Sequence, residues 1–146
     1  QKSGLFNIVM DRLQRLLSSE EIAEDGVTRE RVWVYPQPVL RELIVNAIAH
    51  RDWTKRNNNK IEIFSDRIEI TSFGAIPNTL TIEKIKAGQQ YPRNPNLVRI
   101  LRDTGEMEDR GMGIRRRVIP LLKEKGFDEP EFVDTEDYLK VIIYKQ

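Results

Sequence analysis

Residues 39–52 read VLRELIVNAIAHRD, a stretch with the pattern of a helix that has one apolar face and one polar edge. At about 100° per residue, steps of four keep Glu42, Asn46 and His50 within roughly 80° of one another. The neighbouring apolar stripe consists of Leu40, Leu43, Ile44, Ala47 and Ile48. Because a carboxylate is costly to bury without a partner, this helix predicts a polar cavity beside the core. A Glu and an Asn one turn apart suit a general base beside a ligand for a hydrated cation such as Mg²⁺.

Composition places the chain among ordinary globular proteins. It has 146 residues, of which 39% are hydrophobic and 32% charged, and this length favours one domain with a real core. No apolar run approaches the ~20 residues of a membrane span, and no signal peptide is visible. The chain has no cysteine, which excludes disulfides and thiolate metal sites. We therefore expect a cytoplasmic protein with no membrane partner.

The charge balance bears on nucleic-acid binding. Lys and Arg number 24 and Asp and Glu 23, for a formal net charge of +1. This balance argues against a domain that binds nucleic acid chiefly through bulk charge. The first residue is Gln1 rather than Met, so we expect the chain to be a piece of a longer polypeptide.

Hydrophobic periodicity indicates the order of elements. Apolar spacing predicts a helix from Leu5 to Leu17, a β-hairpin over 61–70, a helix over 114–125, and two strands near the end of the chain. The order is helix, strand, helix, strands, helices, strands. It predicts an α/β (α+β) two-layer sandwich, with helices on one face of a mixed or antiparallel sheet. We assign residues 1–30 to an N-terminal helix and connecting segment, and residues 31–146 to the sandwich domain.

A glycine-containing segment leads directly into the helix predicted from Ile114. Gly111 and Gly113 let the backbone approach a ligand closely, and the free N–H groups at a helix start favour an anion. Arg115 to Arg117 place cations in the first turn, where they oppose the helix dipole unless an anion such as phosphate is present. Glycine caps and turns are common, so an ordinary structural turn stays open as the alternative.

Four ordered blocks resemble a known family. They are residues 41–52, residues 66–77, the tripeptide at 93–95, and the pattern Glu108-x-x-Gly111-x-Gly113. Together they resemble the C-terminal ATPase-like domain of predicted transcriptional regulators, which carry an AlbA-like (Schlafen-type) DNA-binding domain. These regulators are often labelled RecG-like or ATP-dependent DNA helicase-related. The resemblance covers about residues 30–145, and the domain is similar to the ATPase superfamily of gyrase, heat-shock chaperones, histidine kinases and MutL.

The resemblance implies roles for single residues in binding the phosphates and the metal ion. Glu42 matches the catalytic base that activates water, and Asn46 matches the Mg²⁺ ligand. Gly111 and Gly113 match the glycine box that caps the triphosphate, with Arg115 as a further phosphate contact. Two plainer readings stay open from the residues alone. Glu42 and Asn46 can lie on an exposed helix edge, and His50 can end the helix rather than bind a ligand.

The adenine-binding box of that superfamily falls at Thr71 to Ala75, where this chain has no Asp and one glycine, Gly74. Thr71 or Ser72 can still accept a hydrogen bond, directly or through water. Arg93 belongs either to a structural turn or to a mobile lid over the nucleotide.

The resemblance implies a nucleotide-binding module of a DNA-binding transcriptional regulator. It would bind ATP with Mg²⁺, form homo-oligomers, and leave DNA contact to a separate N-terminal domain. If hydrolysis occurs, it should be slow. The alternative is a degenerate ATPase fold that acts as a dimerisation or interaction scaffold without nucleotide, which the missing Asp favours. Direct DNA binding by this piece is the weakest alternative, because the net charge is near neutral.

Overall fold

A computed structural model describes residues 4–89, 93–107 and 112–146 of the chain. The chain divides into two compact units, residues 1–37 and residues 38–146. The assignment of residues 1–30 and 31–146 to separate parts stays a prediction, because compactness alone does not show which segment folds by itself. In the described ranges, no helix combines the length and apolar character needed to cross a membrane.

The first unit is a helix followed by a β-hairpin. Its elements are α1 (Leu5–Leu17), β1 (Ser18–Ile22) and β2 (Arg29–Trp33). The predicted bounds of α1 are confirmed. The segment after it forms the antiparallel pair β1–β2. Asp25 stabilises the turn, since its Oδ1 accepts hydrogen bonds from the backbone N–H groups of Val27 and Thr28 at 2.9 and 2.8 Å.

The second unit contains most of the secondary structure. Its elements are α2 (Gln37–Ala49), β3 (Lys60–Ile63), β4 (Arg67–Phe73), α3 (Ile82–Lys86), α4 (Pro95–Asp103), a π-helical turn (Ile114–Val118), α5 (Ile119–Glu124), β5 (Glu131–Asp134) and β6 (Tyr138–Tyr144). The strands form one sheet in the order β3-β4-β6-β5, and every neighbouring pair is antiparallel. The predicted two-layer α/β fold is confirmed, and of the two sheet types expected the structure has the antiparallel one.

One face of the sheet packs against α2. Ile68 and Ile70 of β4 are buried, and they pair in register with Ile143 and Val141 of β6, which lie on the same face. The Ser72 hydroxyl extends this face and donates a hydrogen bond of 2.8 Å to the Ala47 carbonyl of α2. The apolar side of α2 supplies the other half of the core through Val39, Leu40, Leu43, Ile44 and Val45.

The opposite face of β4 carries a buried ion-pair cluster. Glu69 accepts hydrogen bonds from Lys140 Nζ at 2.7 Å and Arg67 Nε at 2.8 Å. These two hydrogen bonds, the one from Lys140 first, lower the pKa of Glu69 below its ordinary value of 4.5. The same contact with Glu69 raises the pKa of Lys140. The charged form of Glu69 is therefore the stable one in the folded protein.

The helix predicted over 114–125 is interrupted by a wider turn. The backbone N–H of Ile119 bonds to the carbonyl of Ile114, five residues earlier. Pro120 explains the interruption, because it has no N–H to donate to the Arg116 carbonyl in a regular α-helix.

Glu69→Gln tests the ion-pair cluster. Because the folded-state pKa of Glu69 is lowered from 4.5, its contribution to stability is present at neutral pH. The contribution is lost as the pH falls through the folded-state value. We expect the variant to have a lower free energy of unfolding than the wild type by about 1–2 kcal/mol at pH 7. The difference should shrink steadily toward pH 3.

Urea unfolding at a series of pH values measures this difference. Glu124→Gln, which removes an exposed carboxylate of α5, is the matched control and should stay close to wild type at every pH. A gap between Glu69→Gln and wild type that does not change with pH would contradict the assignment.

Candidate functional site

A cavity of about 90 Å³ opens beside α2 in the second unit. This volume is far above the roughly 10–15 Å³ that one water requires. The described polar side chains that line it are Asn46, His50, Ser72, Gln89 and Arg93, and the other lining residues are apolar or glycine. The cavity therefore combines apolar walls with a few polar groups, which is typical of small-molecule sites.

Glu42 lies next to this cavity with its carboxylate buried, and only 1% of the residue is exposed. Asn46 Nδ2 donates to Glu42 Oε1 at 2.9 Å and to the Glu42 carbonyl at 2.8 Å. Arg117 Nη1 lies 3.3 Å from Glu42 Oε2. The alternative of an exposed helix edge is therefore wrong for Glu42. The buried charge has both a hydrogen-bond donor and a cation as partners, as its burial requires.

Gly113 packs directly against that carboxylate. Its backbone has ordinary helical angles, φ −56° and ψ −39°, so its conformation does not demand glycine. A Cβ built at this position would instead overlap the carboxyl group of Glu42. Gly113 is thus needed for space. The other predicted glycine of the pair, Gly111, lies outside the described residues.

The segment that corresponds to the adenine-binding box reaches the cavity only in part. Ser72 and Gly74 line the cavity, and Gly74 has a φ of +123°, which favours glycine. Thr71 does not line it, since neighbouring strand residues point to opposite faces. Thr71 Oγ1 is buried and has no hydrogen-bond partner in the described part of the chain. The structure therefore separates the two hydroxyls that the sequence analysis treated as equivalent.

Arg93 lines the cavity close to Gly74. Its Nη2 donates to the Ala75 carbonyl, and its Nη1 lies 3.9 Å from Asp52 Oδ2. A Cβ at Gly74 would overlap the Arg93 guanidinium, so the glycine also provides room for this side chain. Hydrogen bonds from the hydroxyl and the backbone N–H of Thr54 lower the pKa of Asp52, and the charge of Arg93 lowers it further. Asp52 is therefore a stable anion beside the guanidinium.

Asn94, the neighbour of Arg93, has a structural role. Its Nδ2 donates to the carbonyls of Ala49 and Arg51 at 2.8 and 2.7 Å. These carbonyls lie at the end of α2, where backbone acceptors lack helical partners. Asn94 therefore holds the end of α2, whereas Arg93 lines the cavity. His50 follows α2 directly and also lines the cavity.

Two of the three arginines in the π-helical turn, Arg115 and Arg117, make different contacts. Arg115 Nη1 donates to the Ala87 carbonyl at 3.2 Å, and Arg115 does not line the cavity. Arg117 is the one that pairs with Glu42. A phosphate contact of Arg115, which the family resemblance implies, stays a prediction. Three consecutive arginines offer no signal of which one faces α2.

The site suits only a metal ion that takes most of its ligands from water and from a bound molecule rather than from the protein. In the described ranges, no group of three or more His, Asp or Glu side chains lies close enough to hold a metal. Mg²⁺ often takes one or two protein oxygens and completes its shell with water and phosphate. Because Asn46 Nδ2 faces Glu42, the amide oxygen is the end turned away from the carboxylate. That oxygen fits the single Mg²⁺ ligand that the sequence analysis expected.

Comparison with known proteins supports the fold and assigns the chain to a family. The family model described as "Putative ATP-dependent DNA helicase recG C-terminal" matches residues 57–143, a range that omits α2. The crystal structure of the DIP2311 protein from Corynebacterium diphtheriae is similar to 96% of this chain, with a TM-score of 0.83 and 19% sequence identity. This chain covers 28% of that protein's chain, and identity this low supports the fold alone. No match is found among curated proteins.

Gly113→Ala tests the contact between Gly113 and Glu42. The added Cβ must displace the buried carboxylate, so we expect the free energy of unfolding to fall by about 2 kcal/mol. In a Glu42→Ala background the same change should cost at least about 1 kcal/mol less.

A double-mutant cycle measured by urea unfolding gives this coupling. Gly4→Ala is the control, since a Cβ at position 4 meets no atom within 4 Å. If the two substitutions have additive effects, the packing of Gly113 on Glu42 does not decide the choice of glycine.

Proposed function

The chain belongs to the family of recG C-terminal ATPase-like domains, and from that premise we propose that its second unit binds ATP or a related nucleotide together with Mg²⁺. The observation that carries the proposal is the cavity beside α2, whose lining includes Asn46, Ser72, Gly74 and Arg93. Its apolar walls suit a purine ring, and its polar groups suit a ligand with polar ends.

In the proposed arrangement the phosphates lie at the Asn46 end. Gly113 is beside Glu42 there, and its helical backbone begins the π-helical turn, where free N–H groups favour anions. We propose that Gly111, the other glycine of the pair, binds the phosphates together with Gly113. Mg²⁺, when bound, would neutralise phosphate charge. Asn46 would hold it through the amide oxygen. The purine ring of the nucleotide then lies near Ser72 and Gly74.

Hydrolysis is proposed to be slow, with Glu42 as the residue that orients water. Asn46 and Arg117 occupy both carboxylate oxygens of Glu42. A water molecule must therefore replace Arg117 before Glu42 can act as a base. Arg117 is able to leave, because 46% of its side chain is exposed. This arrangement supports binding more strongly than turnover.

The proposal extends to the role of the whole protein through the family resemblance alone. The nucleotide-binding module would act in a transcriptional regulator that forms homo-oligomers and contacts DNA through a separate N-terminal domain. The second candidate function is a dimerisation or interaction scaffold without nucleotide. One observation favours it: among the described residues that line the cavity, none is a carboxylate that could accept the adenine amino group.

Thermal unfolding with and without ATP or ADP plus Mg²⁺ tests nucleotide binding. Ligand at about 100 times Kd adds roughly 2.7 kcal/mol, which should raise the Tm by about 5–10 °C. Asn46→Ala should remove the part of the shift that depends on Mg²⁺. Asn96→Ala, at an exposed position of α4, is the control and should keep it. If no nucleotide changes the Tm, the scaffold is favoured, and self-association is then the property to measure.

Steady-state phosphate release tests the role of Glu42. Glu42→Gln should abolish any turnover while changing nucleotide affinity by less than about twofold, because it keeps the shape of the side chain. Arg117→Gln should raise the turnover rate, since it removes the cation that competes with water for Glu42 Oε2. Arg99→Gln, an exposed arginine of α4, is the matched control for charge. Turnover that persists in Glu42→Gln would remove Glu42 from the mechanism.

A further inference from the structure

The four-stranded sheet has two edge strands, β3 and β5, and the outer side of β3 has no partner among the described strands. The N–H of Phe64, which follows β3, donates a hydrogen bond of 2.9 Å to β4. Because hydrogen-bonded and non-hydrogen-bonded residues alternate along an antiparallel pair, Glu62 and Lys60 also bond to β4. The backbone N–H and C=O groups of Ile61 and Ile63 therefore point away from β4. They form a free edge to which a further strand can pair.

The side chains of β3 give this edge an electrostatic preference. Lys60 and Glu62 lie on one face of the sheet and are exposed. The residue opposite Glu62 on β4 is Glu69, a like charge, so a cation on the outer side of β3 would stabilise Glu62. Ile61 and Ile63 lie on the other face, and Ile63 is 41% exposed. The edge therefore offers one charge of each sign on one face and apolar surface on the other.

A second copy of β3, antiparallel to the first about a two-fold axis at Ile61, is complementary to this edge. Lys60 of each copy then lies opposite Glu62 of the other, which gives two pairs of opposite charge. The two Ile61 residues exchange their outward backbone hydrogen bonds, and each has Ile63 of the other copy as its diagonal neighbour. The two nearest registers that keep the same faces together place Lys60 or Glu62 opposite itself. Charge thus selects a single register.

The other edge of the sheet is unsuited to a second copy. Residues 128–137, which include β5, contain six Asp and Glu residues and neither Lys nor Arg. Pro130 directly precedes the strand and has no N–H to donate. Two copies of β5 would therefore bring like charges together, a common protection of edge strands. Of the two edges, β3 is the self-complementary one.

We propose that two copies of this chain associate through β3, which joins their sheets into one antiparallel sheet of eight strands. The proposal assigns an interface to the homo-oligomer and does not depend on nucleotide binding. Because β3 has only four residues, the contact area is small, and we expect a dissociation constant in the micromolar range.

Sedimentation equilibrium of the chain without nucleotide, combined with charge reversal, tests the register. Lys60→Glu and Glu62→Lys each turn two attractive pairs into two repulsive ones, so each should raise the dimer dissociation constant by about tenfold. The double variant restores opposite charges and should return to within about threefold of the wild type. Lys123→Glu, which reverses an exposed charge of α5, is the control and should leave the constant unchanged.

Ile61→Pro tests the backbone pairing. It removes an N–H that points away from β4, so the β3–β4 ladder is kept while the dimer should be lost. Asp134→Pro makes the matching change on the outer edge of β5 and should keep the dimer.

A chain that stays monomeric up to about 1 mM overturns the proposal. So does a dimer whose affinity is unaffected by the single charge reversals. If Ile61→Pro does not fold, the charge-reversal series decides. Every measurement is made without nucleotide, so its failure leaves the proposed nucleotide binding untouched.

Discussion

The buried carboxylate of Glu42 is the constraint on which the site depends. A charge in this position is tolerated only with close partners, and the protein supplies two of them from different segments. Asn46 lies one turn further along the same helix, whereas Arg117 comes from the π-helical turn. The carboxylate also excludes any side chain at Gly113. One charged group thus positions the start of a helix that is distant in sequence.

The C-terminal end of α2 is also fixed by defined contacts, which here are side-chain hydrogen bonds. Its last carbonyls accept hydrogen bonds from side chains of three separate segments, since no helical N–H reaches them. Ser72 and Asn59 both donate to the Ala47 carbonyl, and Asn94 donates to the Ala49 carbonyl. These contacts fix α2 relative to β4 and the segment before α4.

Much of the fold follows from local sequence patterns. The apolar period of α1 gave its bounds, and the alternation around Asp66 gave the β3–β4 hairpin, because both patterns reflect neighbours along the chain. The insertion of β6 between β4 and β5 depends on pairing across more than sixty residues, which local periodicity does not encode. The sequence also places Thr71 and Ser72 side by side, and only the strand register decides which one faces α2.

The sequence by itself determined that α2 presents Glu42 and Asn46 together, since helical geometry places residues four apart on one side. It also determined that the segment at Gly74 lacks an acidic residue. Only the tertiary structure decided that Arg117 rather than Arg115 pairs with Glu42, and that Arg93 lies at the cavity. The physical reason is that these contacts join segments far apart in sequence, where packing of the folded chain sets side-chain direction.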